Sequence, residues 1–169
     1  MNIGIVGNGF VGGAVAHGFR NHNPLIYDIY PELSPNTLEE VMGCEYVFIC
    51  LPTPMTRPEG GPCNISILDD FLSRIEYNPK QVLIIKSTVP IGTTRKMAKK
   101  YGLGNLIHNP EFLTAVNAKQ DFMNADRTVI GSPHWDPING CSYAESVMTL
   151  FQQQFPTIPV FPMFSDESE

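Results

Sequence analysis

The sequence has few charged residues, and few basic ones in particular. Only 17% of its 169 residues are charged, and 11 Lys and Arg stand against 17 Asp and Glu, which gives a formal net charge of -6 at pH 7. A nucleic acid or an anionic membrane would have to bind against this overall field. The composition therefore argues against both kinds of partner, and we expect neither.

Long hydrophobic runs are also missing. The longest apolar stretch, residues 46–51, is far shorter than the roughly 20 residues that cross a bilayer. The amino-terminal residues 1–6 contain no positively charged segment of the kind that opens a secretory signal. We therefore predict a cytoplasmic protein.

Cysteine is sparse, and its spacing forms no metal motif. The four residues Cys44, Cys50, Cys63 and Cys141 include no CxxC pair, and two of them lie in or beside apolar runs. Zinc sites and disulfide frameworks both need closely patterned cysteines. We therefore expect reduced, structural thiols and no metal site.

What the sequence does contain is an alternation of short apolar runs with segments of helical period. With 43% hydrophobic residues, the chain can bury a sizeable core of single-domain size. Short apolar strands alternating with helices are typical of a parallel sheet covered on both faces. The sequence therefore predicts an α/β fold of Rossmann type, a doubly wound, mainly parallel sheet with helices on both faces. The predicted strands are residues 3–6, 24–27, 46–51, 82–85, 106–108, 128–130 and 158–161.

Capping residues mark several predicted helices. Ser34, which a proline follows, predicts a helix over residues 34–42 with carboxylates early in the helix. Asn64 is a candidate N-cap for a helix whose apolar residues recur at spacings of three and four up to Ile75. A further amphipathic helix is predicted over residues 143–155.

Two irregular segments are candidates for site loops. Residues 52–62 hold four prolines and leave the carboxyl end of a predicted buried strand, where open α/β sheets bind their ligands. Residues 132–137 follow another predicted strand, but a connection to the next helix explains them equally well. The first segment is the stronger candidate.

A GxGxxG motif at residues 7–12 directly follows the first predicted strand and opens a predicted helix. This context agrees with a dinucleotide fingerprint. In that motif the first glycine permits a tight turn, the second leaves room for a pyrophosphate, and the third lets the helix approach the strand. The N–H groups at the start of the helix would then face phosphate. The predicted cofactor-binding residues of the motif are Gly7, Gly9, Phe10, Val11 and Gly12.

Asp28 follows Gly7 by 21 residues and ends the second predicted strand. A carboxylate at this place accepts hydrogen bonds from the adenosine ribose hydroxyls and repels a 2′-phosphate. Neither Ile29 nor Tyr30 offers the positive charge that would bind such a phosphate. The sequence therefore predicts NAD rather than NADP as the cofactor, although Asp28 could instead be a turn residue.

Three further segments follow predicted strands: residues 51–54 (LPTP), 86–94 (KSTVPIGTT) and 109–113 (NPEFL). They closely resemble the amino-terminal, NAD-binding domain of the UDP-glucose/GDP-mannose dehydrogenase family, as do Ala118, Asp121, Asp126, Arg127, Ile130 and Gly131. The resemblance extends over nearly the whole chain.

The resemblance implies NAD-dependent oxidation of the 6-hydroxyl of a nucleotide-sugar to a carboxylate, in two hydride transfers and through a thioester on a cysteine. It places Pro52 and Thr53 at the NAD pocket. It also places Thr88 at the cofactor and at the reacting oxygen or the hydrolytic water, which Glu111 would activate as the acid and base. The catalytic residues that it implies are thus Thr88 and Glu111. The substrate-binding residues that it implies are Glu111, Phe112 and Leu113.

Each of these residues also has a simpler explanation. Thr88 and Thr93 could cap the helix that is predicted to begin near Gly92. Glu111 could be a carboxylate in the first turn of a helix, where it would complement the helix dipole.

Two departures from the family pattern stand out. Ala115 stands where many family members have a second acidic residue, which removes a group that would contact substrate or water. Residues 165–169 resemble the approach to the family's long connecting helix, and the sequence stops there. We therefore expect an NAD-binding domain over residues 1–164, the start of a connecting helix over residues 165–169, and a chain that is incomplete and inactive alone.

The family's nucleophilic cysteine and nucleotide-sugar domain would lie in the absent part. Family members usually pair through the connecting helix, so we expect a monomer or weak dimer here. Two other interpretations stay open: a stand-alone, non-catalytic NAD-binding or regulatory module, and a relative of the 6-phosphogluconate or 3-hydroxyacid dehydrogenases. Residues 87–92 and 109–113 fit the latter poorly.

Overall fold

The computed structural model describes residues 1–57, 59–76, 78–136 and 138–169, so Pro58 and Pro137 of the two irregular segments lie outside the described residues. The strands are β1 (Ile3–Val6), β2 (Leu25–Tyr27), β3 (Tyr46–Ile49), β4 (Val82–Ile85), β5 (Leu106–His108), β6 (Thr128–Ser132) and β7 (Val160–Phe164). The helices are α1 (Phe10–Gly18), α2 (Leu38–Met42), α3 (Ser66–Ser73), α4 (Thr93–Tyr101), α5 (Ala118–Met123), α6 (Ser142–Gln154) and α7 (Ser165–Ser168).

The strands form one seven-stranded sheet in the order β2-β1-β3-β4-β5-β6-β7. The five strands from β2 to β5 run parallel, β6 pairs antiparallel with β5, and β7 runs parallel to β6. The winding changes direction between β1 and β3, and ligands of open α/β sheets bind at the carboxyl edge beside such a point. The predicted Rossmann-type fold class is confirmed, and all seven predicted strands form with small shifts at their ends.

Two apolar layers cover the sheet. The residues of β1, β3, β4 and β5 are all buried, as expected for parallel strands between helices. On one face, neighbouring phenylalanine rings pack with centroids 5.5 to 6.5 Å apart. This cluster consists of Phe19, Phe48, Phe122, Phe151 and Phe155. On the other face, α2, α3 and α4 contribute Val41, Leu68, Leu72, Met97 and Ala98.

The predicted start of the second helix is wrong. Helix α2 begins at Leu38, and Thr37 is its N-cap instead of Ser34. Thr37 Oγ1 accepts a hydrogen bond from the Glu40 N–H at 3.2 Å, and the Glu40 carboxylate accepts one from the Thr37 N–H at 2.8 Å. This reciprocal capping box fixes the start of the helix more firmly than a serine before a proline. Ser34 Oγ instead accepts from the Asp28 N–H at 2.9 Å.

The other helix predictions agree with the structure more closely. The N-cap of α3 is Ile65, one residue after the predicted Asn64. Asn64 Oδ1 still accepts a hydrogen bond from the Ser66 N–H at 3.0 Å, at the first residue of the helix. Helix α3 ends at Ser73, before the predicted limit of its apolar pattern at Ile75. Within the described ranges, none of the helices has the length and apolar character needed to cross a membrane.

Asp166 in α7 and the following Glu169 form hydrogen bonds to the start of α4. The Glu169 carboxylate accepts hydrogen bonds from the backbone N–H groups of Gly92, Thr93 and Thr94 at 2.5, 3.1 and 2.6 Å, which satisfies the start of α4. The Arg95 guanidinium also donates two hydrogen bonds to the Asp166 carboxylate. Helix α7 therefore holds the connection from β4 to α4 in place.

We predict that Glu169→Gln lowers the free energy of unfolding by about 1 kcal/mol, because the substitution removes the negative charge that complements the start of α4. Urea denaturation of the wild type and the variant measures the change. Glu76→Gln makes the same charge change at an exposed site and should stay within about 0.5 kcal/mol of the wild type. Equal effects of the two substitutions would contradict the capping role of Glu169.

Candidate cofactor and active site

The glycine loop has the tight geometry that the motif predicts. Gly7 has φ 93°, a left-handed conformation that favours glycine, and its N–H donates to the Tyr27 carbonyl at 2.8 Å. A Cβ at Gly12 would overlap the Gly7 carbonyl oxygen. The predicted roles of Gly7 in the turn and of Gly12 in close helix packing are therefore both visible in the backbone.

Gly9 differs from its two neighbours in the motif because the fold does not require it. A Cβ at Gly9 would meet no atom of the described residues within 4 Å, and φ is -73°. Gly9 is the N-cap of α1, and a glycine offers no side chain to the N–H groups of the first turn. Phe10 is 52% exposed beside it. The open space over Gly9 thus fits a phosphate group at the start of α1.

Asp28 links the second strand to the glycine loop. Its Oδ2 accepts a hydrogen bond from the Asn8 N–H at 2.6 Å, and its Oδ1 accepts one from the Tyr30 N–H at 3.0 Å. The second bond is the turn contact that the alternative explanation requires, and the first bond ties Asp28 to the glycine loop. A carboxylate has about four acceptor positions, which leaves capacity for ribose hydroxyls.

A cavity of about 510 Å³ opens beside Asp28, between the ends of β1 to β3 and helix α3. It is mostly apolar, and its lining includes Tyr27, Ile29, Leu38, Leu51, Ile67 and Phe71. The sequence pattern indicated only that α3 packs on the sheet and did not identify Ile67, whose 44% exposure sets it apart from the buried face. A flat apolar ring such as adenine fits this composition.

The residues predicted at the other end of the cofactor are tied together across two loops. Thr53 Oγ1 donates to the Thr88 carbonyl at 2.7 Å, and Cys63 Sγ donates to the Thr53 carbonyl at 3.1 Å. Pro52 and the Thr88 side chain are exposed at this edge. Neither threonine of the alternative explanation caps α4, since its N-cap is Gly92 and Thr93 Oγ1 donates to the Pro90 carbonyl.

Glu111 lies in the loop between β5 and α5, well before the first turn of α5 at Ala118. The explanation of Glu111 as a first-turn helix carboxylate is therefore wrong. Its Oε2 accepts a hydrogen bond from the Leu113 N–H at 2.7 Å, which folds the loop back on itself. Phe112 is 57% exposed, and its ring lies 4.9 Å from the Arg127 guanidinium. The structure therefore places residues 111–113 at the same edge as Thr88.

Lys86 opens the segment 86–94, but neither the sequence nor the resemblance assigned it a role. It follows β4 directly and is only 3% exposed, and its Nζ donates to Asn109 Oδ1 at 3.0 Å and to the Pro110 carbonyl at 3.3 Å. Burial lowers the pKa of Lys86 to about 8, against the opposing effects of Cys50 and Glu111. Lys86 also lines a cavity of about 270 Å³ with Glu111, Phe122, Arg127 and Phe151.

Two further groups near Lys86, Cys50 and His108, keep their neutral forms near neutral pH. Burial raises the pKa of the Cys50 thiol to about 12. Burial, with a smaller effect of the Lys86 charge, lowers the pKa of His108 to about 4. His108 Nδ1 lies 2.8 Å from Ser168 Oγ, while its buried Nε2 has no hydrogen-bond partner among the described residues. Of Cys50, His108 and Lys86, it is therefore Lys86 whose charge changes near pH 8.

The second irregular segment lies away from this site. Because β6 runs antiparallel to β5, its end at Ser132 points away from the edge that carries Glu111. Ser132 Oγ accepts a hydrogen bond from the His134 N–H at 3.1 Å, and Trp135 packs on the aromatic side of the core. The described part of residues 132–137 is therefore a connection to α6.

Comparison with known proteins gives a consistent result. Residues 32–152 match the model of the NAD binding domain of the UDP-glucose/GDP-mannose dehydrogenase family. A UDP-glucose 6-dehydrogenase of Campylobacter jejuni is 33% identical over 134 residues, which cover 79% of this chain and 33% of that protein.

Solved structures show the same fold. A GDP-mannose dehydrogenase from Pseudomonas aeruginosa superimposes with a TM-score of 0.75 at 18% identity, over 99% of this chain and 47% of that one. A UDP-glucose dehydrogenase from Pyrobaculum islandicum gives a TM-score of 0.74 at 22% identity, again over 99% and 47%. The chain thus spans about half of each of these structures and about a third of the curated relative.

We predict that His108 makes stability depend on pH below neutrality. Its pKa of about 4 in the folded state lies below the ordinary value of 6.5, so the unfolded chain takes up a proton first as the pH falls. The free energy of unfolding should therefore lose up to about 3 kcal/mol between about pH 6.5 and pH 4. Urea denaturation of the wild type and His108→Gln at both pH values measures this loss as the difference in pH dependence.

The matched control is His134→Gln, which removes an exposed imidazole and should keep the pH dependence of the wild type. If His108→Gln kept it as well, the loss of stability would belong to other groups.

Proposed function

Because the chain belongs to the UDP-glucose/GDP-mannose dehydrogenase family, as its NAD-binding domain, we propose that it supplies the cofactor half of a nucleotide-sugar 6-dehydrogenase. NAD is the cofactor of this domain. The proposed reaction is oxidation of a sugar primary alcohol to a carboxylate by the whole enzyme. The observation that carries the proposal is the placement of Glu111 and Thr88 at the same edge of the sheet as the glycine loop.

The described residues fit a dinucleotide lying across the carboxyl edge of the sheet. Gly9 and the first turn of α1 would hold the pyrophosphate, since no side chain blocks the approach there. Asp28 would bind the adenosine ribose, and the apolar cavity beside it would take the adenine ring. Pro52, Thr53 and Thr88 would then line the nicotinamide end. Bound NAD supplies the hydride acceptor.

Asp28 also supports the choice of NAD over NADP. Two backbone N–H groups fix its carboxylate at the end of β2, so it cannot turn away from a ligand without breaking both bonds. A 2′-phosphate would face this negative charge at short range, and neighbouring Ile29 and Tyr30 bring no positive charge.

Thr88 and Glu111 are proposed to act on the substrate. The exposed Thr88 hydroxyl can donate a hydrogen bond to an oxygen on which charge develops. The Glu111 carboxylate can accept a proton from the substrate hydroxyl or from a water molecule, and the Leu113 N–H holds its orientation. Phe112 and Leu113 would contact the sugar. Ala115 is exposed in the same loop, so the substrate would meet a methyl group there.

We propose that residues 1–164 are the cofactor domain and that the nucleophile and the nucleotide-sugar site come from a further part of the protein, in the cytoplasm. Cys63, whose thiol lies 3.5 Å from the Thr88 carbonyl, supports this, since the thiol donates to the backbone carbonyls of Thr53 and Thr88 and not to a basic side chain that would activate it. We therefore expect these 169 residues alone not to oxidise UDP-glucose. A non-catalytic module, the second candidate, would also bind NAD, but Thr88 and Glu111 would then have no function in it.

We predict that the chain binds NAD in calorimetric titration and that Gly9→Val weakens this binding at least about tenfold, because the added side chain fills the space proposed for the pyrophosphate. Gly104→Val is the matched control, since a Cβ at Gly104 also meets no neighbour within 4 Å but lies in the connection from α4 to β5. Circular dichroism checks that both variants fold. Equal NAD affinities in the two variants would contradict the proposed pyrophosphate position.

We predict further that Asp28→Asn narrows the preference for NAD over NADP by about tenfold, since the substitution removes the charge that repels the 2′-phosphate and keeps a similar shape. Parallel titrations with the two dinucleotides measure the ratio of their dissociation constants. Asp126→Asn changes an exposed carboxylate in the connection before β6 and should leave the ratio as it is. An unchanged ratio in Asp28→Asn would show that residues other than Asp28 select NAD over NADP.

A further inference from the structure

We propose that Lys86 is a positioning residue for Glu111, holding the Glu111 loop against β4 through hydrogen bonds to Asn109 and Pro110. The inference rests on the proposed function, since Glu111 is the proposed acid and base. It adds a residue that neither the family resemblance nor the comparisons assign to the reaction. The hydrogen bonds of Lys86, which join the end of β4 to the loop after β5, support it.

Lys86 connects the two loops that carry the proposed catalytic side chains. It directly precedes the Ser87–Thr88 segment at the end of β4, and its ammonium donates to the Asn109 side chain and the Pro110 carbonyl, next to Glu111. Asn109 is itself fixed, since its Nδ2 donates to the Val129 carbonyl of β6 at 2.7 Å. A chain of hydrogen bonds therefore runs from β4 through Lys86 and Asn109 to β6.

The burial of Lys86 is costly, and packing alone does not explain it. The ammonium is nearly inaccessible and no carboxylate lies within salt-bridge distance of it among the described residues, whereas most buried charges are paired. A methionine of similar length would fill the same space beside the Phe122 ring without this cost. A charge kept at such a place, in the wall of a cleft, indicates a role in the site.

The groups that face Lys86 come from several elements. Cys50 follows β3, His108 ends β5, and Glu111 lies in the next loop. Across the shared cavity lie Asp121, Asp126 and Arg127. Cys50 and His108 have pKa values of about 12 and 4, so neither changes charge near the pKa of Lys86 at about 8. Neither Cys50 nor His108 can therefore cause an inflection near pH 8, whereas loss of the Lys86 proton can.

The test is an NMR titration of the 169-residue chain from about pH 6 to about pH 10, following the Glu111 carboxyl carbon, the Leu113 amide and the Lys86 side-chain carbon next to Nζ. If Lys86 positions Glu111, the first two signals shift with the same midpoint as the third, near pH 8. In Lys86→Met this inflection should disappear and the Leu113 amide should exchange with solvent at least about tenfold faster. Lys99→Met, an exposed lysine on α4, should keep both properties.

The inference is overturned if the wild-type Glu111 and Leu113 signals do not follow the Lys86 titration, or if the inflection persists in Lys86→Met. The wild-type titration decides the matter even if that variant fails to fold. Calorimetric titration with NAD keeps the two proposals apart. Absence of NAD binding with the inflection present would remove the proposed function and leave the contact between Lys86 and the Glu111 loop. NAD binding without the inflection would leave the proposed function in place and overturn the positioning role of Lys86.

Discussion

The close packing of α1 on the glycine loop is the constraint on which the rest of the site depends. At Gly12 the helix backbone lies so near the Gly7 carbonyl that no side chain fits between them. This contact places the start of α1 over the gap between β1 and β3, where the order of the sheet changes direction. The left-handed turn at Gly7 and the bond from Asn8 to Asp28 then bring the end of β2 to the same place. One steric requirement thus positions both of the elements that we propose to bind the cofactor.

At the other end of the cleft, hydrogen bonds between residues that are distant in sequence take the place of this steric constraint. The loops after β3, β4 and β5 are joined by Thr53, Lys86 and Asn109, whose partners all lie on a neighbouring loop or strand. Such bonds form only when the sheet is assembled, so the geometry of Thr88 and Glu111 depends on the register of the central strands. The apolar half of the site is built by packing, and the proposed reactive half by hydrogen bonds.

Local sequence signals predicted the fold, and they identified two segments, the glycine loop and Asp28, that contact each other. Continuous apolar runs identified the strands, and the spacing between the glycines and Asp28 identified the loop and the carboxylate that contact each other. The start of α2 was misassigned because two overlapping cap signals compete there, and the capping box of Thr37 and Glu40 is the stronger. Lys86 was missed because a lysine after an apolar strand is usually exposed, and its partner Asn109 lies 23 residues away. No local pattern could reveal that bond.

The contacts at the helix starts have a consequence for where the negative charge of a ligand can lie. Helices α1, α3 and α4 follow β1, β3 and β4, and each presents the positive end of its dipole at the carboxyl edge. Asn64 supplies an oxygen at the start of α3, and the Glu169 carboxylate occupies the start of α4. At α1 the chain supplies a glycine. The phosphates of a ligand therefore meet a helix start without a side-chain oxygen at α1, and helix starts already supplied with oxygens at α3 and α4, so the chain's own oxygens direct negative charge to α1.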